Sequence, residues 1–187
     1  MTQMLTSGDL DSRFRVYWSE MNRCERAGAY WALLHVTVCL PDICAALQAP
    51  DGEAKGKRYV AWCDTFAADP LISGAEWYRM RCKVLHQGRA RTDASGRYSG
   101  FAFGQPAKTG HVDHKRVDSG ILHVDVGCLA VEMKGAVESW IRWLDAHPSS
   151  REAIAVEKNV QSLIRVGQSQ VKPLSAAAPP FIVMKTN

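Results

Sequence analysis

The sequence predicts a mainly α-helical protein: a helical bundle of about five helices with a small β-hairpin insertion. Apolar residues recur at intervals of three and four along most of the chain, which is the spacing of one helix face. The length of 187 residues and the hydrophobic content of 47% are enough to build one sizeable core. A basic, glycine-rich segment at residues 89–125 interrupts the helical pattern. We therefore expect a single domain over residues 1–187, with residues 89–125 as the insertion and residues 171–187 as an extended tail.

The first three helices are predicted from their apolar positions. Residues 11–26 combine charged and apolar side chains as in an amphipathic helix, and Gly28 suits a position near its end. Residues 29–47 are apolar nearly all round, which predicts a central core helix that is kinked or restarted at Pro41. After a turn-rich loop, residues 58–68 place aromatic and aliphatic side chains at helical intervals.

The apolar run at residues 27–47 approaches the length of a membrane span. It contains four residues that do not suit a bilayer: His35, Thr37, Pro41 and Asp42. A buried helix pair is therefore the better interpretation, and we expect no membrane association. The chain also has six cysteines without a Cys-x-x-Cys spacing and shows no secretory signal, which favours reduced thiols in the cytoplasm.

A fourth helix is predicted around the stretch WYRMRCKVLHQGR at residues 77–89. Ser73 and Glu76 have the spacing of a capping box, in which each side chain satisfies a free backbone N–H group of the first turn. Gly88 suits the left-handed position after the last turn. His86 is thus expected in the final turn.

The rest of the chain predicts two short strands and two further helices. Residues 99–104 and 120–126 alternate as strands do, and we expect them to form a hairpin that projects from the helical body. Apolar residues recur at three and four from residue 126 to residue 146, which is the clearest helix in the sequence. A short helix is expected to begin at Ser149 or Ser150.

The arginines and the histidine of the fourth helix are the candidate functional residues. Net charge is only +4, yet four arginines and one lysine fall within residues 79–91 with no acid among them. An arginine offers a permanently charged fork for phosphate oxygens, and a histidine exchanges a proton near neutral pH. Arg81 and His86 together have the chemistry to cleave a phosphodiester without a metal. The neighbouring cations are candidate phosphate contacts: Arg79, Lys83, Arg89 and Arg91.

Helix geometry does not decide whether Arg79 or Arg81 pairs with His86. On an ideal helix Arg79 and His86 lie on almost the same face, whereas Arg81 lies about 140° round from His86. The second pair converges only where the helix end is distorted or where a second subunit completes the site. The alternative for all three is a structural role, in which the arginines lie over the core and His86 caps backbone carbonyls.

An arginine separated from a histidine by four to six residues occurs at two other places. Arg142 and His147 end the long helix before a proline, and they fit a solvated face with a C-terminal cation. Arg116 and His123 span a loop and a strand, so no helix relates them. Context therefore favours the fourth helix, which is short, capped and otherwise aromatic or aliphatic.

The stretch LISGAEWYRMRCKVLHQGR, residues 71–89, resembles the motif helix of the HEPN superfamily, whose signature is R-x(4–6)-H. DIC at 42–44 and RYVAW at 58–62 are similar to a group of uncharacterised bacterial HEPN-like proteins. The similarity covers roughly residues 27–91 and, more loosely, the helix at residues 126–146. It implies a HEPN-like helical bundle that dimerises and brings two Arg/His pairs into a cleft that cuts RNA without a metal. Such proteins commonly serve in toxin–antitoxin or phage-defence systems, and many members are non-catalytic.

The resemblance implies a role for each matching residue. Arg81 would be the motif arginine and would stabilise charge on the phosphorane, while His86 would help deprotonate the ribose 2′-hydroxyl or protonate the leaving 5′-oxygen. Cys82 departs from the family, because active members often have Asn, Asp or His there. Asp42 is a candidate to orient Arg81, and its alternative is to cap a helix that restarts after Pro41.

Other chemistries have weaker support. His111 and His114 have a metal-ligand spacing, but no second HxxH, HExxH or cysteine pair accompanies them, so a histidine-rich loop is the better interpretation. The sequence has no phosphate-binding glycine motif and no nucleophile elbow. We expect a cytoplasmic homodimer that needs no cofactor or metal and that cuts or binds RNA, with an antitoxin protein as a further partner. The alternative is a non-catalytic dimeric protein-interaction module.

Overall fold

The computed structural model describes residues 7–87, 96–106 and 113–163, with side chains from residue 10 to residue 85 in the first range and throughout the other two. Its helices and strands are, in chain order, α1 (Ser7–Arg26), α2 (Tyr30–Leu47), α3 (Gly56–Phe66), α4 (Gly74–Cys82), β1 (Gly100–Gly104), β2 (Arg116–Asp118), β3 (Ile121–Asp125), α5 (Val126–Ala146) and α6 (Arg151–Asn159). A π-helical turn, Lys83–Gln87, continues α4, and a 3-10 turn, Val160–Ser162, follows α6. The described part is thus mainly helical, as predicted, with six α-helices and a small three-stranded sheet.

One hydrophobic core joins all the described helices with strands β1 and β3. α2 packs against α1, α3 and α5 and so lies at the centre of the bundle. Trp140 of α5 is fully buried, and its ring meets Phe14 of α1 and Trp62 of α3 edge-on. Its indole N–H donates to Gln48 Oε1 at 2.8 Å, so this large apolar side chain is buried without leaving its polar atom unsatisfied. The predicted central position of α2 is confirmed.

α2 runs through Pro41 as one helix, so the predicted restart and the predicted helix pair are wrong. Pro41 removes the N–H that would reach the Thr37 carbonyl. The hydroxyl of Tyr59, which is buried on α3, donates to the next carbonyl, Val38 O, at 3.1 Å. Tertiary packing therefore supports the helix where the local hydrogen bonding is weakest.

Within the described ranges, α2 is the one helix long and apolar enough to cross a membrane, judged by length and composition alone. Half of it is buried within the fold. Its buried residues belong to the same core as the other helices.

The helix ends follow the predicted local signals. α1 ends two residues before Gly28, which takes φ +65°. Ser73 Oγ accepts the N–H of Glu76 at 3.4 Å at the start of α4, and Ser150 Oγ accepts the N–H of Ala153 at 3.1 Å at the start of α6. The Glu76 carboxylate accepts the Ser73 hydroxyl proton rather than a backbone N–H. Gly88, which is predicted to follow the last turn of the fourth helix, lies outside the described residues.

The sheet corrects the predicted hairpin. β1 and β3 lie where the sequence predicts strands, but they pair in parallel, with Gly100 opposite Ile121. The antiparallel partner of β3 is β2, a three-residue strand that the sequence did not predict. Ser119 and Gly120 join β2 to β3 with φ of +49° and +78°, the left-handed geometry of a tight hairpin turn. β2 is exposed throughout, so no alternation of apolar residues marks it.

The predicted insertion is packed against the bundle rather than projecting from it. Leu122 and Val124 of β3 are fully buried in the common core. Lys115 Nζ contacts Glu132 Oε1 of α5 at 2.6 Å and also the Asp69 carboxylate, which joins the sheet to the loop before α4. The predicted tail at residues 171–187 lies outside the described residues.

Candidate functional site

Arg81 of α4 and Asp42 of α2 form an ion pair between two helices. Arg81 Nε donates to Asp42 Oδ2 at 2.8 Å, and the side chains are 21% and 19% exposed. Burial lowers the pKa of Arg81, but the hydrogen bond and the charge of Asp42 outweigh burial, and the pKa is raised. The guanidinium is therefore a permanent cation that is held in place and partly open to solvent. This contact is one of the two roles that the sequence left open for Asp42.

Asp42 is available for this contact because α2 does not break at Pro41. A helix that restarted there would use the Asp42 carboxylate to cap its first turn. In the continuous helix, Asp42 lies in the interior and its backbone N–H needs no special partner. The capping alternative is therefore wrong, and the carboxylate points across to α4 instead.

Two side chains that lie beside the pair, Tyr78 and Cys39, were not identified from the sequence as site residues. The Arg81 guanidinium carbon lies 5.9 Å from the centre of the Tyr78 ring, within reach of a cation–π contact. The pKa of Tyr78 is raised, first by its interaction with Cys82 and then by burial. Burial raises the pKa of Cys39, the Asp42 charge raises it further, and the Arg81 charge lowers it. The charge of Arg81 thus acts on groups of both helices.

A helical stripe along α2 is the sequence signal that would have found Cys39. Positions 31, 35, 39 and 42 follow each other at spacings of four, four and three, which places them on one face. His35 lies on this stripe, its ring centre 4.8 Å from that of Trp31 and its Nδ1 2.7 Å from the Trp31 carbonyl oxygen. In the neutral ring Nδ1 therefore donates, and Nε2 is left as an acceptor.

The helix that carries Arg81 ends in a π-helical turn, Lys83–Gln87. Such a turn advances fewer degrees per residue than an α-helix, so positions 81 and 86 lie closer round the axis than the about 140° of an ideal helix. It also moves positions 79 and 86 apart. A distorted helix end was one of the two conditions for Arg81 and His86 to converge. His86 belongs to this turn by its backbone, and its side chain lies outside the described residues.

The other residues predicted to contact phosphate lie in surroundings that differ from those of Arg81. Arg79 Nη1 lies 3.4 Å from Glu76 Oε1 on its own helix, and the Arg79 side chain is 30% exposed. Lys83 is buried, with 9% of the residue exposed. These positions argue against a broad, open phosphate-binding surface at residues 79–83. Two predicted contacts lie outside the described residues: Arg89 and Arg91.

His114, one of the two histidines with a metal-ligand spacing, takes part in a hydrogen-bonded cluster beside the sheet. Its Nδ1 accepts the backbone N–H of Asp125 at 3.2 Å, and its Nε2 lies 3.2 Å from Glu132 Oε1. Since Nδ1 accepts, the proton of the neutral ring lies on Nε2. His111 lies outside the described residues. Among the side chains that the structure describes, no group of three or more His, Cys, Asp or Glu is placed to hold a metal ion.

Comparison of the chain with family models, curated proteins and solved structures gives no match. The HEPN assignment therefore remains a resemblance carried by the motif helix.

Proposed function

We propose that this protein is a metal-independent endoribonuclease of the HEPN type, or a degenerate relative that binds RNA without cutting it. The observation that carries the proposal is the ion pair between Arg81 and Asp42, next to a π-helical turn that contains position 86. Distorted turns of this kind are frequent at functional sites. A cation fixed before the reaction begins is what stabilisation of a transition state requires.

In the proposed reaction, His86 accepts the proton of a ribose 2′-hydroxyl, whose oxygen attacks the adjacent phosphorus. The bond from phosphorus to the 5′-oxygen breaks, and a protonated imidazole returns a proton to that leaving oxygen. Arg81 stabilises the negative charge on the phosphorane oxygens, while Asp42 keeps the guanidinium in position. The products are a 2′,3′-cyclic phosphate and a 5′-hydroxyl, and no step needs a metal ion.

A homodimer is part of the proposal because one chain supplies one Arg81 and one His86. Two copies related by a twofold axis would place two such pairs in a shared cleft, so that one imidazole acts as the base and the other as the acid. We propose a cytoplasmic location and an antitoxin protein that blocks the cleft.

The experiment is RNA cleavage by the purified full-length protein in the presence of EDTA. Arg81→Ala and His86→Ala should each lower the cleavage rate by about 100-fold or more, because each removes a group that acts on the transition state. The matched control is the double variant Arg142→Ala and His147→Ala, which has the same spacing on α5 but only local contacts, and which should cleave as the wild type does.

The variant Cys82→Asn tests whether the wild-type protein is an inactive relative of the active enzymes. An amide donates and accepts hydrogen bonds far better than a thiol, so the substitution restores the kind of group found in active members. We expect it to raise cleavage. Absence of cleavage by both the wild type and Cys82→Asn, over RNAs of varied sequence, would refute the nuclease. RNA binding that Arg81→Ala abolishes would then identify the degenerate form.

A non-catalytic dimeric interaction module is the second candidate, favoured by exposed apolar side chains. Val131 is 71% exposed on α5 and Trp31 is 55% exposed on α2. In that case the ion pair of Arg81 and Asp42 only joins two helices. Sedimentation would then show a dimer that Val131→Asp or Trp31→Ser dissociates and Arg81→Ala leaves intact, with no affinity for RNA.

A further inference from the structure

A groove of about 600 Å³ lies between α3 and α4, next to the candidate site. Its lining residues are Gly56, Lys57, Val60, Ala61, Asp64 and Tyr78. The walls are mostly apolar and carry one cation and one carboxylate. This size and lining are typical of small-molecule sites, which occupy about 300–1,000 Å³ and fix their ligands with a few polar groups.

Tyr78 belongs both to this groove and to the surroundings of Arg81. Its ring lies edge-on to Tyr59, with centres 5.5 Å apart. Its hydroxyl end lies so close to Gly56 that a Cβ there would be 2.7 Å from the hydroxyl oxygen. The ring is therefore held on two sides, and it forms a fixed aromatic surface beside a fixed cation.

Asp64 provides a hydrogen-bond acceptor at the same groove. Its Oδ1 accepts the backbone N–H of Gly74 at 2.6 Å, which holds the carboxylate against the start of α4. Its Oδ2 has no hydrogen-bond partner within the described ranges. Lys57, at the same groove, likewise makes no salt bridge with any described residue. The groove thus combines an aromatic ring with an available acceptor and an available cation.

We propose that this groove is the nucleobase subsite of the RNA site. An unpaired base enters it, lies against the Tyr78 ring and donates from its exocyclic amino group to Asp64 Oδ2. The phosphate of the same nucleotide reaches Arg81, and Lys57 contacts a neighbouring phosphate. Single-stranded RNA is commonly recognised by stacking on aromatic side chains together with hydrogen bonds to base edges. The inference rests on the proposed binding of RNA, but it does not require cleavage.

The chemistry predicts discrimination against uracil. Cytosine has an exocyclic amino group where uracil has a carbonyl oxygen, and a carboxylate accepts from the first and repels the second. We expect cytidine 5′-monophosphate to bind the full-length protein about tenfold more tightly than uridine 5′-monophosphate. Ligand-observed NMR titration of the two nucleotides measures this ratio without any cleavage.

Two variants test the location of the nucleotide. Ala61→Trp fills the groove from an exposed position and should abolish binding of both nucleotides. Asp64→Asn keeps the acceptor for Gly74 but replaces Oδ2 with an amide N–H group, and should remove the preference for cytidine. Asp145→Asn, an exposed carboxylate change on α5, is the matched control and should alter neither. Thermal unfolding of each variant verifies that it is folded.

Failure of this inference is distinguishable from failure of the nuclease. Equal binding of the two nucleotides, no binding, or binding that Ala61→Trp leaves unchanged would overturn the subsite even if the protein cuts RNA. Cytidine-selective binding that Ala61→Trp abolishes would establish the subsite even if the protein cuts nothing.

Discussion

Two helix ends in this protein carry an arginine and a histidine at the same spacing, and they differ in what the side chains contact. At the end of α5, Arg142 Nη2 donates to Ser139 Oγ at 2.9 Å, and His147 Nδ1 lies 2.8 Å from the Trp143 carbonyl oxygen. These contacts are exposed and span three and four positions. Arg81 instead contacts Asp42, 39 positions away in the chain and on another helix.

A partner on another helix, rather than the spacing of the arginine and the histidine, therefore distinguishes the candidate site at the end of α4. Contacts between exposed neighbours on one helix contribute little energy and leave a long side chain free to move. A carboxylate on a second helix fixes the guanidinium relative to the whole fold. The end of α4 can therefore present an oriented charge, provided that the packing of α2, α3 and α4 persists.

Gly74→Ala should have the largest effect, because it disturbs the packing that positions Arg81. A Cβ at this residue would clash with the Val60 carbonyl oxygen of α3 and would lie 2.7 Å from Asp64 Oδ1. The Asp64 side chain can rotate away, but the Val60 carbonyl belongs to the backbone of α3 and cannot move without shifting α3 away from α4. We expect the free energy of unfolding to fall by about 2–3 kcal/mol, measured by chemical denaturation.

Gly135→Ala in α5 is the matched control. Nothing lies within 4 Å of a Cβ at that position, so the substitution should stabilise the helix by about 0.5–1 kcal/mol through its better helix propensity. If both glycine variants changed stability alike, the close packing of α4 on α3 would be refuted, and the fixed position of Arg81 with it.

The helices could be predicted because their signals are local. Most of them repeat their apolar positions at helical intervals, and Ser73 and Ser150 mark the starts of α4 and α6 through contacts three residues away. The strand pairing depends on which segments meet in space. β3 pairs in parallel with β1 and antiparallel with β2, and the exposed residues of β2, such as Val117, give no periodic signal.

The candidate site was predictable in its residue types but not in its contacts. Arg81 stood out by its spacing to His86, and Asp42 stood out as an acid in an apolar helix. Whether Asp42 caps a helix or meets Arg81 depends on the continuity of α2. That continuity involves the hydroxyl of Tyr59, which donates to a carbonyl 21 positions away. Tyr78 was missed because an aromatic residue at a helical interval normally indicates core.

A double-mutant cycle on Arg81→Ala and Asp42→Ala measures the contact itself. We expect a coupling free energy of about 1–2 kcal/mol from denaturation curves, below that of a fully buried pair because about one fifth of each side chain is exposed. The corresponding cycle on Arg142→Ala and Ser139→Ala should give less than about 0.5 kcal/mol. Equal coupling free energies in the two cycles would mean that the contact of Arg81 with Asp42 is no stronger than the local contact of Arg142 with Ser139.

The smallest expected effect is on the reactivity of the Cys39 thiol. Burial and then the Asp42 charge raise its pKa, whereas the Arg81 charge lowers it. Asp42→Asn should therefore lower the pKa, increase the thiolate fraction at any pH below it, and speed alkylation by about two- to fivefold. Arg81→Gln should raise the pKa and slow alkylation. Both differences should disappear as the pH rises above the pKa, where the thiol is ionised in every variant.

The measurement is the rate of iodoacetamide labelling, followed peptide by peptide with mass spectrometry. Cys128 is the internal control, because its pKa is raised by burial and then by Asp125, so its rate should be the same in all variants. Arg142→Gln should leave Cys39 unaffected. If Arg81→Gln also left Cys39 unaffected, solvent would screen the Arg81 charge as fully as that of Arg142. The two helix ends would then differ in geometry but not in the electrostatic effect that their arginines have on neighbouring groups.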